Sequence, residues 1–133
     1  MIKKINHIGV AVKDLGLSEK LFSDLFGKSS DGTEKVESEK VEVSFFSIGG
    51  TKLELLKSLD ENSAIEKFIS KRGEGINHIC LETDNLDLEI ERLSNLGFQF
   101  VNKNPIIGAH NYKIVFLHPK STNGVLVELC EKI

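Results

Sequence analysis

One eleven-residue stretch occurs twice in this chain in nearly the same form. "INHIGVAVKDL" occupies residues 5–15 and "INHICLETDNL" occupies residues 76–86, an offset of 71 residues. The polar and apolar stretches that follow them, "LGLSEKLFSDLFG" and "LDLEIERLSNLGF", keep the same offset. Self-similarity at a fixed spacing is typical of a duplicated supersecondary unit. The repeat therefore constrains the fold of the 133-residue chain more than any other feature.

Each copy contains the pattern of an amphipathic helix after its first strand. Apolar residues recur at 3.6-residue spacing over 15–27 and again over 86–98. Ser18 and Asp87 are placed to serve near the N-caps, and Gly27 and Gly97 are predicted to end the two helices.

Strand-like runs follow each helix. They cover 41–56 in the first copy and 112–130 in the second, and Phe45 and Phe116 again lie 71 residues apart. The turn within the second run is longer, which a surface hairpin loop tolerates. The repeating unit is therefore predicted to be a βαβββ module, and the fold class is predicted to be α+β.

The two modules are expected to form a single domain over residues 1–133. Module one covers about 3–58, a linker helix lies within 60–75, and module two covers about 76–131. Asn62 or Ser63 is predicted to cap the linker helix. The segment 27–40 is rich in Ser, Gly and charge and is predicted to be a mobile loop.

Composition excludes several classes of protein. Two cysteines without CxxC spacing do not indicate a disulfide scaffold or a thiolate zinc site. A net charge of -3 argues against a nucleic-acid partner. No apolar run approaches the roughly 18 residues of a membrane span, and no apolar leader is visible, so a cytoplasmic protein is expected.

The repeated histidines face away from the aliphatic stripe of their strands. Side chains alternate along a strand, so His7 lies opposite Ile8, and His78 shares a face with Cys80 and Glu82. The repeated Asn before each histidine is predicted to hydrogen-bond the backbone or to support a ligand side chain.

Each copy also has one carboxylate inside an apolar final strand. Glu54 lies in "KLELL" and Glu128 in "GVLVELC". A buried carboxylate without a partner costs several kcal/mol or binds a proton, so each requires a compensating charge. If an approximate two-fold axis relates the modules, His7, His78 and both carboxylates converge. Such nitrogen and oxygen ligands suit Co, Ni, Zn, Mn or Fe.

Beyond these patterns, the chain resembles the vicinal oxygen chelate superfamily and, within it, the methylmalonyl-CoA epimerases. The resemblance covers nearly all of residues 3–131 and is carried by "INHIGVAVKDL", "GGTKLELLKSL", "GINHICLETDN" and above all "IGAHNYKIVFLHPKSTNGVLVELCE". It implies a cupped eight-stranded mixed sheet that holds a divalent metal on His7, Glu54, His78 and Glu128. Some epimerases carry Gln at the place of Glu54, and a Glu there also matches glyoxalase I.

The resemblance implies epimerisation of methylmalonyl-CoA by proton abstraction and return through a metal-stabilised enediolate. Glu128 is the first candidate for the proton-transferring carboxylate, with Glu54 or Glu42 as its counterpart. Lys120 and His110 are candidates to contact the anionic acyl-CoA substrate.

Three alternatives stay open. Glyoxalase I would use the same ligand positions on a glutathione hemithioacetal, and a non-enzymatic binding member would sequester a ligand in the cup. Extradiol dioxygenation is less favoured, because those enzymes generally use three protein ligands and longer chains. A homodimer is the usual form of the family and is expected here.

Overall fold

The computed structural model describes all 133 residues. It contains eight strands and three α-helices, which are β1 (Ile2–Ala11), α1 (Leu15–Phe26), β2 (Gly32–Val36), β3 (Val41–Ile48), β4 (Thr51–Ser58), α2 (Ala64–Arg72), β5 (Gly75–Thr83), α3 (Leu86–Asn95), β6 (Ile106–Ile107), β7 (Tyr112–Leu117) and β8 (Val127–Lys132). Short 3-10 turns cover Ala109–Asn111 and Pro119–Ser121.

The strands form one eight-stranded mixed sheet in the order β2-β3-β4-β1-β5-β8-β7-β6. Strands β2, β3 and β4 pair antiparallel in succession, whereas β5 pairs parallel with β8, and β8 pairs antiparallel with β7. The element order is strand, helix and three strands, twice, with α2 between the copies. This confirms the predicted α+β class and the duplicated βαβββ module.

The chain divides into two compact units. One comprises Met1–His7 with His78–Ile133, and the other comprises Ile8–Asn77. In the Ile8–Asn77 unit, α1 packs on the sheet through an apolar cluster whose buried members are Val12, Leu15, Phe46 and Leu55, with Phe22 and Phe26 of α1 against them.

The other unit has apolar side chains on both faces of its strands. On one face, α3 packs against β7 and β8 through Leu86, Leu93, Val115, Leu117 and Leu129. The opposite face contains a second cluster of Cys80, Ile114 and Cys130, bordered by Tyr112 and Phe116. Because α3 covers the face with Leu129, the face with Cys80 and Cys130 is the one on which polar side chains can come together.

The helix ends differ in part from the sequence expectation. Asp14 and Asn85 cap α1 and α3, each accepting a hydrogen bond from a backbone N–H of the first turn. Ser18 and Asp87, predicted to serve near the N-caps, are therefore not the capping residues, although Asp87 lies in the first turn of α3. Both real caps precede the first apolar residue of the helix, as capping requires. Ser63 caps α2 as predicted, and Gly27 ends α1 in the left-handed region at φ 69°.

The segment 27–40 was expected to be a loop throughout, but its residues Gly32–Val36 form β2. All five residues of β2 pair with β3. The local composition of Gly, Lys and Glu does not predict a strand, because the pairing stabilises it. Helix α3 ends at Asn95, two residues before Gly97. None of the helices is long and apolar enough to cross a membrane.

Candidate metal centre

Two imidazoles and one carboxylate meet at a single point in the unit that contains both chain ends. His7 Nε2 lies 3.0 Å from His78 Nε2 and 3.1 Å from Glu128 Oε1, and His78 Nε2 lies 3.2 Å from the same oxygen. All three residues are buried. Three of the four predicted ligand side chains therefore converge as a triangle of donor atoms.

Three different strands bring these side chains together. His7 lies on β1, His78 on β5 and Glu128 on β8. Glu128 is the register partner of Cys80 on β5 and of Phe116 on β7, and directly opposed residues point to the same face. The Phe116 ring packs edge-on against the His78 imidazole, with ring centroids 5.8 Å apart, and restricts its orientation.

Glu128 is fully buried, yet Oε1 has no hydrogen bond of acceptable geometry. The imidazole contacts to this oxygen are at ion-pair distance only. Burial acts to raise the pKa of Glu128, but His7 and His78 outweigh burial and bring this pKa down to about 2. The carboxyl group is therefore ionised at neutral pH and exposes an unsatisfied oxygen to two imidazole nitrogens.

This triangle fits a divalent metal. Donor atoms that bind one metal at about 2.1 Å and at right angles to each other lie about 3.0 Å apart. The three observed separations, 3.0, 3.1 and 3.2 Å, match such an arrangement. Two imidazoles with one carboxylate on one side of a metal also leave positions for oxygen ligands of a substrate.

Cys80 lies at the edge of the same cluster. Its sulfur, His7 and Glu128 have potential ligand atoms within 4.8 Å of one another. Burial raises the pKa of the Cys80 thiol, and Cys130 and Glu128 reinforce that rise. The thiol also packs with Ile114 and Cys130, so in this structure it behaves as a small apolar side chain.

Two other predicted carboxylates lie in the Ile8–Asn77 unit, on opposite faces of its strands. Glu54 is 2% exposed on β4 and is the register partner of Phe45. Glu42 on β3 is the register partner of Lys57 on β4. Lys57 lies two residues after Leu55, which packs against α1, so Lys57 and Glu42 are on the helix-packed face. The structure therefore does not bring Glu42 to the face of Glu54.

The two candidate substrate contacts flank β7. His110 lies in the turn before the strand, in a left-handed conformation at φ 58°, and Lys120 lies in the turn after it. Lys120 is exposed and its backbone N–H donates to His118 Nδ1. A six-residue strand separates the two by roughly 20 Å, so one charged group cannot contact both.

Comparison with known proteins places the chain in a family. The sequence profile of the Glyoxalase/Bleomycin resistance protein/Dioxygenase superfamily matches residues 6–116. The chain belongs to this superfamily. The match begins at the asparagine before His7 and extends to Phe116, and it includes both repeated histidines.

Relatives within the superfamily extend over nearly the whole chain. The mitochondrial methylmalonyl-CoA epimerase of Dictyostelium discoideum is 41% identical over 133 residues, which cover 98% of this chain and 80% of the relative. The uncharacterized protein YqjC of Bacillus subtilis is 37% identical over 130 residues, with 98% and 93% coverage.

A solved structure supports the same relationship. The methylmalonyl-CoA epimerase of Streptomyces coelicolor, in complex with 2-nitronate-propionyl-CoA, superimposes with a TM-score of 0.94 and is 31% identical. The alignment covers 99% of each chain. This superfamily member is thus closely related to methylmalonyl-CoA epimerases and has the glyoxalase-like fold.

Asn6, predicted to hydrogen-bond the backbone or to support a ligand side chain, contacts His7, whereas its other partner, Glu82, was assigned no role from the sequence. Asn6 Nδ2 donates to Glu82 Oε1 at 2.7 Å, and Asn6 Oδ1 lies 2.7 Å from His7 Nδ1. Strand alternation had placed Glu82 on the face of His78. The hydrogen bond from Asn6 to Glu82 depends on the pairing of β1 with β5, which the sequence does not show, so the contact could not be predicted.

Proposed function

We propose that this protein catalyses the metal-dependent epimerisation of methylmalonyl-CoA. The observation that carries the proposal is the triangle of His7 Nε2, His78 Nε2 and Glu128 Oε1, with its unsatisfied carboxylate oxygen. The near full-length likeness to methylmalonyl-CoA epimerases supports the choice of substrate.

The proposed reaction moves one proton. Carbon 2 of methylmalonyl-CoA lies between a thioester and a carboxylate, so removal of its proton leaves negative charge that spreads onto the neighbouring oxygens. A divalent ion held by His7, His78 and Glu128 would supply positive charge where that negative charge develops. The carbon becomes planar, and return of a proton to the opposite face gives the other epimer.

The protein's own carboxylates are proposed to transfer the proton. Glu128 is ionised, buried and part of the centre, so it can accept the proton if one of its oxygens faces carbon 2. Glu54 is the proposed fourth ligand and the counterpart that serves the other face. Glu42 is left out of the proposal because its side chain lies on the helix-packed face with Lys57.

Lys120 is proposed to bind the substrate away from the carbon that loses its proton. The turn Pro119–Ser121 follows β7 at the end where Phe116 opposes Glu128. Lys120 is therefore proposed to contact an anionic group of the acyl-CoA from this end. A homodimer is proposed from the resemblance to the family, and a cytoplasmic location from the two cysteines without disulfide-like spacing. The metal is proposed to be Co, Ni, Zn, Mn or Fe from the nitrogen and oxygen donors.

A substrate comparison tests the proposal. Protein loaded with each metal in turn is incubated with one epimer of methylmalonyl-CoA, and the other epimer is measured by chiral chromatography. In parallel, the same preparations receive methylglyoxal with glutathione. We expect epimer formation and no S-lactoylglutathione. Thioester formation from methylglyoxal without epimerisation would contradict the proposal in favour of a glyoxalase.

A further inference from the structure

A chain of hydrogen bonds runs from the half-buried Glu82 through the buried Asn6 to His7. The Asn6 side-chain amide is 4% exposed and bridges the two partners at 2.7 Å on each side. Its neighbour Tyr112 lies in the same region, where burial and then the Glu82 carboxylate raise the pKa of the phenol. The buried Asn6 side chain is thus held by a hydrogen bond on each side.

The direction of each hydrogen bond follows from the chemistry of the partners. A carboxylate only accepts, so the Asn6 amide nitrogen must face Glu82. That orientation leaves the Asn6 carbonyl oxygen, which has no proton, facing His7. His7 must then donate, so the imidazole proton resides on Nδ1.

The tautomer decides which nitrogen of His7 can bind a cation. With the proton on Nδ1, the lone pair of the neutral ring is on Nε2. This is the nitrogen that lies 3.0 Å from His78 Nε2 and 3.1 Å from Glu128 Oε1. The other tautomer would direct an N–H at the centre and would oppose a metal there.

The repeat shows that this arrangement was not simply copied with the histidines. The position equivalent to Glu82 at the 71-residue offset is Ala11, whose side chain cannot accept a hydrogen bond. Glu82 therefore belongs to one half of the repeat only.

We propose that Glu82 and Asn6 act together as positioning residues that fix His7 in the Nδ1-protonated tautomer and so present Nε2 to the metal. The inference rests on the proposed metal centre and adds two residues to it. Outer hydrogen-bond partners of metal-binding histidines typically change metal affinity by about 10–100-fold when they are removed.

Variants of both residues test the inference. Asn6→Leu keeps the branching of the side chain but has no hydrogen-bonding group. Glu82→Leu removes the acceptor, and Glu82→Gln retains an acceptor oxygen. Asn95→Leu, at an exposed position of α3, is the matched control for amide loss. Two quantities are measured in each protein: the Zn²⁺ dissociation constant, and the imidazole ¹⁵N shifts of His7 in metal-free protein near pH 8, above the usual imidazole range.

Wild type, Glu82→Gln and Asn95→Leu are expected to show pyrrole-type Nδ1 and pyridine-type Nε2 at His7, and similar Zn²⁺ affinities. Asn6→Leu is expected to lose the single tautomer and to bind Zn²⁺ about 10–100-fold more weakly. Glu82→Leu should show the same changes to a smaller extent. A purely structural role would lower the unfolding temperature without changing the tautomer.

The inference is overturned if Asn6→Leu folds and keeps both the wild-type tautomer and a Zn²⁺ affinity within about threefold, well below the change expected of such partners. If Asn6→Leu does not fold, an unchanged tautomer in Glu82→Leu overturns it. The tautomer is measured without metal, so it also separates the two proposals. Wild-type protein that binds no divalent metal would refute the proposed function, while a mixed His7 tautomer in wild type would refute this inference.

Discussion

His7 Nε2 and His78 Nε2 lie 3.0 Å apart although 71 residues separate them in the chain. The two residues occupy the same place in the two copies of the repeat, and both side chains are buried beside Glu128. Three electron-rich groups in such close contact require a shared proton or a cation to offset their mutual repulsion. The duplication thus contributes one histidine from each copy to a single buried cluster that is consistent with a metal site.

Replacement of a ligand histidine should abolish tight metal binding. His78→Gln removes one vertex of the triangle, and the affinity for Zn²⁺ or Co²⁺ is expected to fall by more than about 100-fold, the upper range seen for outer partners. The metal-to-protein ratio after gel filtration measures this. His118→Gln is the matched control, because His118 instead caps the turn at Pro119–Ser121. Stoichiometric metal in His78→Gln would exclude that residue as a ligand.

Cys80 is expected to make no bond to the metal. Its thiol packs with Ile114 and Cys130, while two nitrogens and one oxygen already form a compact ligand set. Cys80→Ser should therefore keep Co²⁺ affinity within about threefold, less than the effect of losing even an outer partner. Cobalt-loaded wild type should lack an intense thiolate-to-metal charge-transfer band. The appearance of that band in wild type and its loss in Cys80→Ser would show that the sulfur is a ligand.

Lys120 should affect substrate binding more than turnover. Lys120→Ala is expected to raise KM for methylmalonyl-CoA roughly fivefold with kcat nearly unchanged, the size of a partly exposed charge contact. Lys132→Ala is a suitable control, since this exposed lysine ends β8 opposite Tyr112, at the other end of β7. Steady-state kinetics decides the point, and equal KM values for both variants and wild type would remove Lys120 from the binding site.

The packing of α3 should contribute strongly to stability. Leu129 is 1% exposed on β8 and lies in the cluster that contains Leu93 of α3. Leu129→Ala is expected to lower the free energy of unfolding by about 2–5 kcal/mol because it leaves a cavity. Leu96→Ala, at a 65% exposed position, should change it by less than about 0.5 kcal/mol. Urea unfolding of metal-free protein provides the measurement, and equal effects would contradict the packing.

The sequence predicted the parts of the site that the repeat duplicates. His7 and His78 were identifiable because both copies contain them, and Glu128 because a carboxylate inside an apolar strand requires a partner. Strand β2 escaped prediction because its pairing with β3 depends on residues distant in sequence. Glu54 and Glu42 were alternative candidates for the counterpart of Glu128, and the register of β3 with β4, which the sequence does not give, places the two on opposite faces.

Hydrogen bonds that join two modules were the least predictable feature. Asn6 and Glu82 are 76 residues apart, and their contact exists only because β1 and β5 are neighbours in the sheet. No local pattern in either copy indicates such a contact. The assignment of His7 to one tautomer is therefore a result of the tertiary structure.

The most direct test of the account is isotope exchange at carbon 2 of methylmalonyl-CoA. Protein is stripped with a chelator, reloaded with Co²⁺ or Zn²⁺ and placed in deuterated buffer, and loss of the carbon 2 proton signal is followed by NMR for wild type and for Glu128→Gln. The account predicts rapid exchange in reloaded wild type, none above background in the stripped protein and none in Glu128→Gln. Full exchange in Glu128→Gln, or no exchange in metal-loaded wild type, would contradict it.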